Sequence, residues 1–280
     1  MFYLFKSFIQ MKTLLNNIDL NEALIGKSNI GFVPTMGSLH KGHISLIKKS
    51  LKRSKITVVS IFVNPKQFNN KMDFKKYPRN IKKDLNILKR LKVDFVFIPK
   101  TRDIFKSKNN IKIKLKKKEE ILCAKYRKGH FEGVIDVMTR LTKIVKPSKI
   151  FTGEKALKQL LLAKKYIGNN YDSRIISCKK IRDKNKVALS SRNFLLNKNE
   201  LITAGKIAKK LISFKKKGSG KHDLKKILNI QKNKFNRLYN IRIEYLELRN
   251  KNNLKITNKI RNAKIFIAYY INNVRLIDNF

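Results

Sequence analysis

From Ile30 onward, short apolar runs alternate with amphipathic stretches. Ile30-Gly-Phe-Val-Pro34 reads as a strand, Gly42 to Arg53 as a helix after a turn rich in Gly and His, and the β-branched Ile56 to Val63 as a second strand. A strand–helix–strand unit of this length is expected to be parallel with a right-handed crossover, which brings both strand C-termini to one edge of a sheet. Ligands of open α/β sheets bind at that edge, so the loops after Val33 and Val63 are the first candidates for a site.

The alternation continues. Asn80 to Leu91 has a helical pattern, and Val93 to Ile98 is a strand closed by Pro99. Thr101 to Glu120 is lysine-dense and reads as irregular. Gly133 to Val145 is helical, with Val134, Val137, Met138, Leu141, Ile144 and Val145 on its apolar side. Ile150-Phe-Thr152 is a short strand, Glu154 to Tyr166 a helix and Ser173 to Cys178 a further strand. The aromatic start, Met1 to Gln10, lacks a charged leader, a long apolar run and a small-residue cleavage site, and is expected to be a first strand. After about residue 182 the texture changes: a turn at Asp183 to Lys186, a helix from Asn199 to Phe214, a flexible connector from Lys215 to Gly220, then strand-like alternation at Ile241 to Leu248, Lys264 to Tyr270 and Asn273 to Ile277. We therefore expect an α/β domain over residues 1–178 and a small α+β domain over residues 179–280, with the boundary near Ser177 to Ile181.

The chain has 280 residues, 42% of them apolar and 30% charged, which is the balance of a globular protein and excludes disorder. Nowhere do 18 apolar residues run together, so no membrane span is expected. Against 18 acidic residues stand 67 Lys and Arg, a formal net charge of +49. The lysines are spread through nearly every segment and accompanied by frequent Asn and Ile, a trio that A- and T-rich coding DNA produces whatever the protein does. Charge alone thus assigns no partner, and no specific nucleic acid is expected. Cys123 and Cys178 form no CxxC pair and no metal spacing with the four histidines, so the expected setting is a reducing, cytoplasmic one without disulfides.

Four stretches can carry chemistry. His40 and His43 flank Gly42 at a strand-to-helix junction, where free backbone N–H groups and a positive dipole end suit a phosphate, and Gly42 lets a nucleotide approach the backbone. Asn64 and Gln67, around Pro65, close the next strand with neutral amides fitted to orient a carboxylate or hydroxyl. Lys155, in Gly153-Glu-Lys155, opens a helix after another short strand and so lies near the same edge as His40. Ser190-Ser191-Arg192 joins two hydroxyls and a guanidinium in a loop matched to phosphate oxygens.

Together these stretches resemble the pantoate–β-alanine ligase family, the pantothenate synthetases, in the adenylate-forming branch of the nucleotidylyltransferase superfamily. Phe32-Val-Pro-Thr-Met-Gly37 with His40-x-Gly-His43, Ser60-Ile-Phe-Val-Asn-Pro65 with Gln67-Phe68, Tyr77-Pro-Arg79, Gly129-His-Phe131, Gly153-Glu-Lys155 with Gln159-Leu160, and Leu189-Ser-Ser-Arg-Asn193 stand in family order and at family spacing. The HxGH element alone marks only the superfamily; the amide pair and the Ser-Ser-Arg loop narrow it. The likeness is strong over about residues 30–195 and architectural beyond.

The resemblance implies a Rossmann-like, nucleotidylyltransferase-type domain binding ATP and pantoate, a C-terminal lid, and a homodimer. It also implies a reaction in two steps. Pantoate attacks the α-phosphate of ATP to give pantoyl adenylate and pyrophosphate; β-alanine then attacks the adenylate to give pantothenate and AMP. Residue by residue, it puts Met36, Gly37, His40, Gly42, His43, Gly153, Glu154, Lys155, Ala156, Ile181, Leu189, Ser190, Ser191 and Arg192 at ATP. Of these, His43 is the proton donor on the phosphate side, His40 and Lys155 face the α- and β-phosphates, and Ser190, Ser191 and Arg192 also meet phosphates. Gln67 and Gln159 hold pantoate, with Met36 beside it, Asn64 in support and Gln67 also near β-alanine; Mg²⁺ bridges phosphates with Asp84 nearby. Some positions depart from the family pattern. Ala156 replaces an aspartate, which removes a ribose contact; Lys83 precedes Asp84 where two acids are usual; Asn185-Lys186 replaces Asp-Gly; and Leu122-Cys-Ala-Lys replaces Leu-Glu-Gly. The phosphate-facing residues are all present, so an active enzyme is expected.

Overall fold

The computed structural model describes residues 10–105, 113–217 and 223–280. The strands β1 (Lys12–Leu14), β2 (Ile30–Thr35), β3 (Ile56–Ile61), β4 (Phe95–Phe97), β5 (Lys149–Gly153) and β6 (Arg174–Cys178) form one parallel sheet in the order β1-β4-β3-β2-β5-β6. The helices before it ends are α1 (Asn17–Leu24), α2 (Lys41–Arg53), α3 (Lys71–Lys76), α4 (Ile81–Arg90), α5 (Thr101–Phe105), α6 (Cys123–Tyr126), α7 (His130–Val145) and α8 (Leu157–Ala163). Beyond them follow α9 (Lys198–Lys217), α10 (Leu224–Tyr239) and an antiparallel meander of β7 (Arg242–Asn250), β8 (Ala263–Ile271) and β9 (Val274–Asn279). This is the expected α/β sheet with a smaller α+β part after it.

Helices cover both faces of the main sheet, which is why its central strands read as continuous apolar runs. Phe32, Val58 and Ile150 pack on one side with Ile135, Met138 and Leu141 of α7. Val33, Val59 and Phe151 pack on the other with Leu46 and Ile47 of α2 and Leu88 of α4. The C-terminal meander is likewise two-faced. Ile265 and Ile267 bury against Ala204 and Leu211 of α9 and Phe235 of α10, whereas Tyr245, Phe266 and Ala268 join the same apolar cluster as α7. The smaller part therefore shares a core with the larger one.

Several expectations shift in detail. Of the aromatic segment expected to be a first strand, residues 1–9 lie outside the described residues; the first strand among the described residues is β1. The stretch expected to be irregular from Thr101 holds α5, and residues 106–112 of it lie outside the described residues. The single helix expected from Glu154 is a 3-10 turn (Glu154–Ala156), then α8, then a π-helical turn (Lys164–Gly168). Of the expected connector, Lys215 to Lys217 extend α9 and residues 218–220 lie outside the described residues. Helix α10 was not expected, although Asp223 caps it by accepting from the N–H groups of Lys225 and Lys226, and Asn240 ends it at φ 46°.

Candidate active site

Strands β3 and β4 lie to one side of β2, whereas β5 and β6 lie to the other. The loops leaving β2 and β5 therefore diverge and open a crevice at the carboxyl edge, where open α/β sheets take their ligands. The turn after β2 is held open by an acid. Gly37 (φ 74°) and Ser38 (φ 51°) adopt left-handed backbone, and a side chain on Gly37 would meet Asp84 Oδ2 at 3.0 Å. Asp84 accepts from the N–H of Ser38 and of Leu39, each at 2.7 Å, through separate oxygens. Burial pushes its pKa up against the pull of those amides. Gly37 and Asp84 line a separate cavity of about 380 Å³. No group of three or more His, Cys, Asp or Glu among the described residues could hold a metal ion. Both Asp84 oxygens are engaged in the turn, so a divalent cation brought by a nucleotide would draw most of its ligands from phosphate and water.

His40 is the N-cap of α2 and its Nδ1 accepts from the Gly42 N–H at 3.0 Å; His43 Nδ1 accepts from the His40 N–H at 3.4 Å. The rings stack at 4.0 Å, 26° apart. A nitrogen that accepts carries no proton, so in each neutral ring the hydrogen is on Nε2. The space over Gly42 is filled by the His40 ring itself, since a Cβ there would come within 2.7 Å of Cε1. Gly42 thus admits the cap rather than bare backbone. Burial, with Lys155 adding to it, holds His40 down to about 4. Burial first, then His40 and Lys155, holds His43 well below its ordinary value. Both imidazoles are neutral at pH 7 and present two Nε2–H donors.

Lys155 stands on the 3-10 turn after β5, and its ammonium has no hydrogen bond or ion pair among the described residues. Burial lowers it to about 8, opposed by Asp278 and reinforced by Arg192. Ser190 caps the 3-10 turn Ser191–Leu195, accepting from the Arg192 N–H. Ser191 donates to the Ser38 carbonyl at 3.0 Å, which ties this loop to the β2 turn. Arg192 is oriented by Asp73, with Nη2 at 2.8 Å from Oδ2.

These groups surround two cavities with a common wall. One, of about 260 Å³, is lined by His40, Gly42, Gly153, Ile181, Leu189 and Ser191 besides the wall. It holds Lys155, Lys179, Lys180 and Arg192 and no carboxylate among its described lining residues. The other, of about 280 Å³, contains Asn64 and Gln67. Met36, His43, Lys155, Gln159, Ser190 and Arg192 line both, as does Ala156. A triphosphate-sized anion suits the first by charge; a carboxylate suits the second, whose cations Arg127, Lys158 and Arg275 outnumber the lone Asp278. Glu154 points elsewhere, accepting from Ser177 Oγ at 2.8 Å.

The amide pair is built from a close approach. Asn64 Nδ2 donates to the Gly133 carbonyl at 2.9 Å, and its Oδ1 accepts from the Lys66 N–H. A Cβ on Gly133 would lie 2.4 Å from the Lys66 carbonyl, so only glycine lets α7 approach this turn. Asn64 is 1% exposed and braces the turn, while Gln67 Nε2 reaches Met36 Sδ at 2.6 Å. The Gln67 carbonyl accepts from His130 Nδ1 at 2.7 Å and Arg127 Nη2 at 3.1 Å. Burial holds His130 down to about 3.

Sequence reasoning assigned no role to Arg127, His130, Tyr245, Arg275 or Asp278, all of which line the second cavity. Arg127 sits two residues before Gly129-His130, so that motif was a usable pointer to it. Arg275 and Asp278 lie on β9, where alternation of residues fixes a face but not what the face meets.

The family model for pantoate-beta-alanine ligase matches residues 4–280. A pantothenate synthetase of Thermosipho africanus is 39% identical over 261 residues, covering 92% of this chain and 94% of that protein. The crystal structure of a pantoate-beta-alanine ligase from Francisella tularensis, complexed with beta-gamma ATP and beta-alanine, superposes with a TM-score of 0.83 at 36% identity, over 96% of this chain and 97% of that one. The pantothenate synthetase of Thermus thermophilus does so with a TM-score of 0.89 at 27% identity, over 96% and 99%. The chain belongs to the pantoate-beta-alanine ligase family.

Proposed function

We propose that this chain condenses pantoate with β-alanine by way of pantoyl adenylate, releasing pyrophosphate and AMP. The observation that carries the proposal is the pair of cationic cavities meeting at His43, Lys155, Gln159 and Arg192. ATP lies in the cavity without carboxylates and pantoate in the one holding Gln67, with Gln67 and Gln159 orienting pantoate toward the wall. A pantoate carboxylate oxygen attacks the α-phosphorus, and the bond to the pyrophosphate oxygen breaks. Negative charge grows on the phosphate oxygens, where the Nε2–H groups of His40 and His43, the Lys155 ammonium and Arg192 are already oriented. Burial keeps His43 neutral, so it offers its Nε2–H as a hydrogen-bond donor rather than as a charged acid. Activation is required because a carboxylate and an amine do not form an amide at neutral pH. In the second step the β-alanine amine attacks the acyl carbon of the adenylate, the carbon–oxygen bond breaks, AMP leaves and the amine proton passes to solvent.

Mg²⁺, when bound with the nucleotide, would supply charge neutralisation, with Asp84 nearby and holding the β2 turn. We retain the division at 178 and 179, with residues 179–280 closing over the nucleotide, a homodimer through the larger part, and a cytoplasmic setting. These finer points rest on the family resemblance. No helix among the described residues is long and apolar enough to cross a membrane.

The test is an assay of AMP with each substrate omitted in turn. Full release only with ATP, pantoate and β-alanine together supports the reading. AMP release that does not require pantoate would contradict pantoate as the group that is adenylated.

A further inference from the structure

The turn that carries Lys155 has no side-chain cap of its own. Its carbonyls are met from the far end of the chain. Asn279, at the end of β9 and 1% exposed, donates through Nδ2 to the carbonyls of both Glu154 and Lys155, each at 2.9 Å. Its Oδ1 accepts from Lys180 Nζ at 3.0 Å, and its backbone carbonyl accepts from the same ammonium. The amide orientation follows from these partners: two carbonyls require the nitrogen, and an ammonium requires the oxygen. Of the small side chains only a primary amide offers two N–H groups and an acceptor at this place. Beside it, Asp278 holds Arg182 at 2.6 Å and Lys180 at 3.2 Å.

We infer that Asn279 is a positioning residue that, through those two carbonyls, sets where the Lys155 ammonium stands and so makes the C-terminal sheet part of the phosphate site. The inference rests on the role proposed above for Lys155.

The groups that face Lys155 are Asp278 from β9, Arg192 from the Ser190 loop, Lys180 after β6, Cys123 from α6 and the neutral imidazoles of α2. Burial is the largest cause of its lowered value of about 8, so the pantoate-dependent exchange of pyrophosphate into ATP should fall as pH rises through about 8. In Asn279→Ala the loosened turn lets water reach Lys155. The basic limb is then expected to move to higher pH, and kcat for exchange to drop by about 10–100-fold. Asn279→Asp keeps the shape but sets a carboxylate against two carbonyls, and is expected to lose at least as much; Asn279→Ser keeps one donor and should fall between.

A lower melting temperature with kcat per folded molecule and pH limb both unchanged would overturn the inference. If the variants do not fold, hydrogen–deuterium exchange on the unaltered chain decides. Saturating ATP should protect residues 150–157 and 274–280 together, and protection of the first alone would overturn it. An unaltered chain without pyrophosphate exchange would sink the proposed function instead, and the deuterium measurement with ATP alone would still judge Asn279.

Discussion

His40 and His43 owe their character to what their Nδ1 atoms accept, since each backbone N–H bound there commits the ring to donate from Nε2. Replacing His43 by Ala removes one such donor from the growing phosphate charge. Turnover should fall by about 10²–10³-fold with folding unchanged, and near-normal turnover in a steady-state assay would contradict the role. The same burial has a consequence for stability. His40 at about 4 and His130 at about 3 stay neutral in the folded chain, whereas free histidine titrates near 6.5. Between those values the unfolded chain binds more protons, so stability contributed by these rings is present near pH 7 and lost as pH falls from about 6.5 toward about 3. Thermal melts should show a lower midpoint at pH 5 than at pH 7, with a smaller difference in His130→Gln; an equal or higher midpoint at pH 5 would count against it. The histidines, Lys155 and Gln67 were legible in the sequence because each follows a readable strand, and Arg192 because two hydroxyls and a guanidinium stand together in one loop. The reason for Gly42 was not, because the ring that fills its space folds back from His40.

At the scale of elements, α7 approaches the turn holding Asn64 and Gln67 closely enough that only glycine fits at position 133. Gly133→Ala puts a methyl 2.4 Å from the Lys66 carbonyl, and helix or turn must shift. A displacement of about 1 Å in a positioning element costs on the order of 10²-fold. Pantoate-dependent exchange should fall by that order, with KM for pantoate raised more than KM for ATP, and equal effects on both would place the damage elsewhere. The unit β2-α2-β3 was readable because its apolar runs are long and its turn chemistry is distinct. Helix α10 was hidden for the opposite reason. Its buried positions Leu224, Leu228 and Phe235 are spaced widely among Lys and Asn, and only its two caps announce it.

For the whole molecule, the order β1-β4-β3-β2-β5-β6 puts the crevice where it is, and the C-terminal meander completes it by sharing the core of α7. The sheet class was legible from the alternation of strands and helices. That meander's contribution was not, because strand alternation says which residues share a face without saying that Asp278 and Asn279 meet Lys155. The charge of +49 is distributed, yet the first cavity gathers four cations, of which Arg192 and Lys180 are paired with Asp73 and Asp278. On this account the surface charge binds polyanions only loosely. Retention on immobilised DNA should vanish near physiological ionic strength, about 0.15 M, while activity persists; tight retention at that salt would revive a nucleic-acid role. The most direct test of the central claim leaves β-alanine out. With ATP, Mg²⁺ and pantoate alone, labelled pyrophosphate should appear in ATP, and it should do so far more slowly in Lys155→Ala. Exchange without pantoate, or none with it, would show that the two cavities do not carry out adenylation at their common wall.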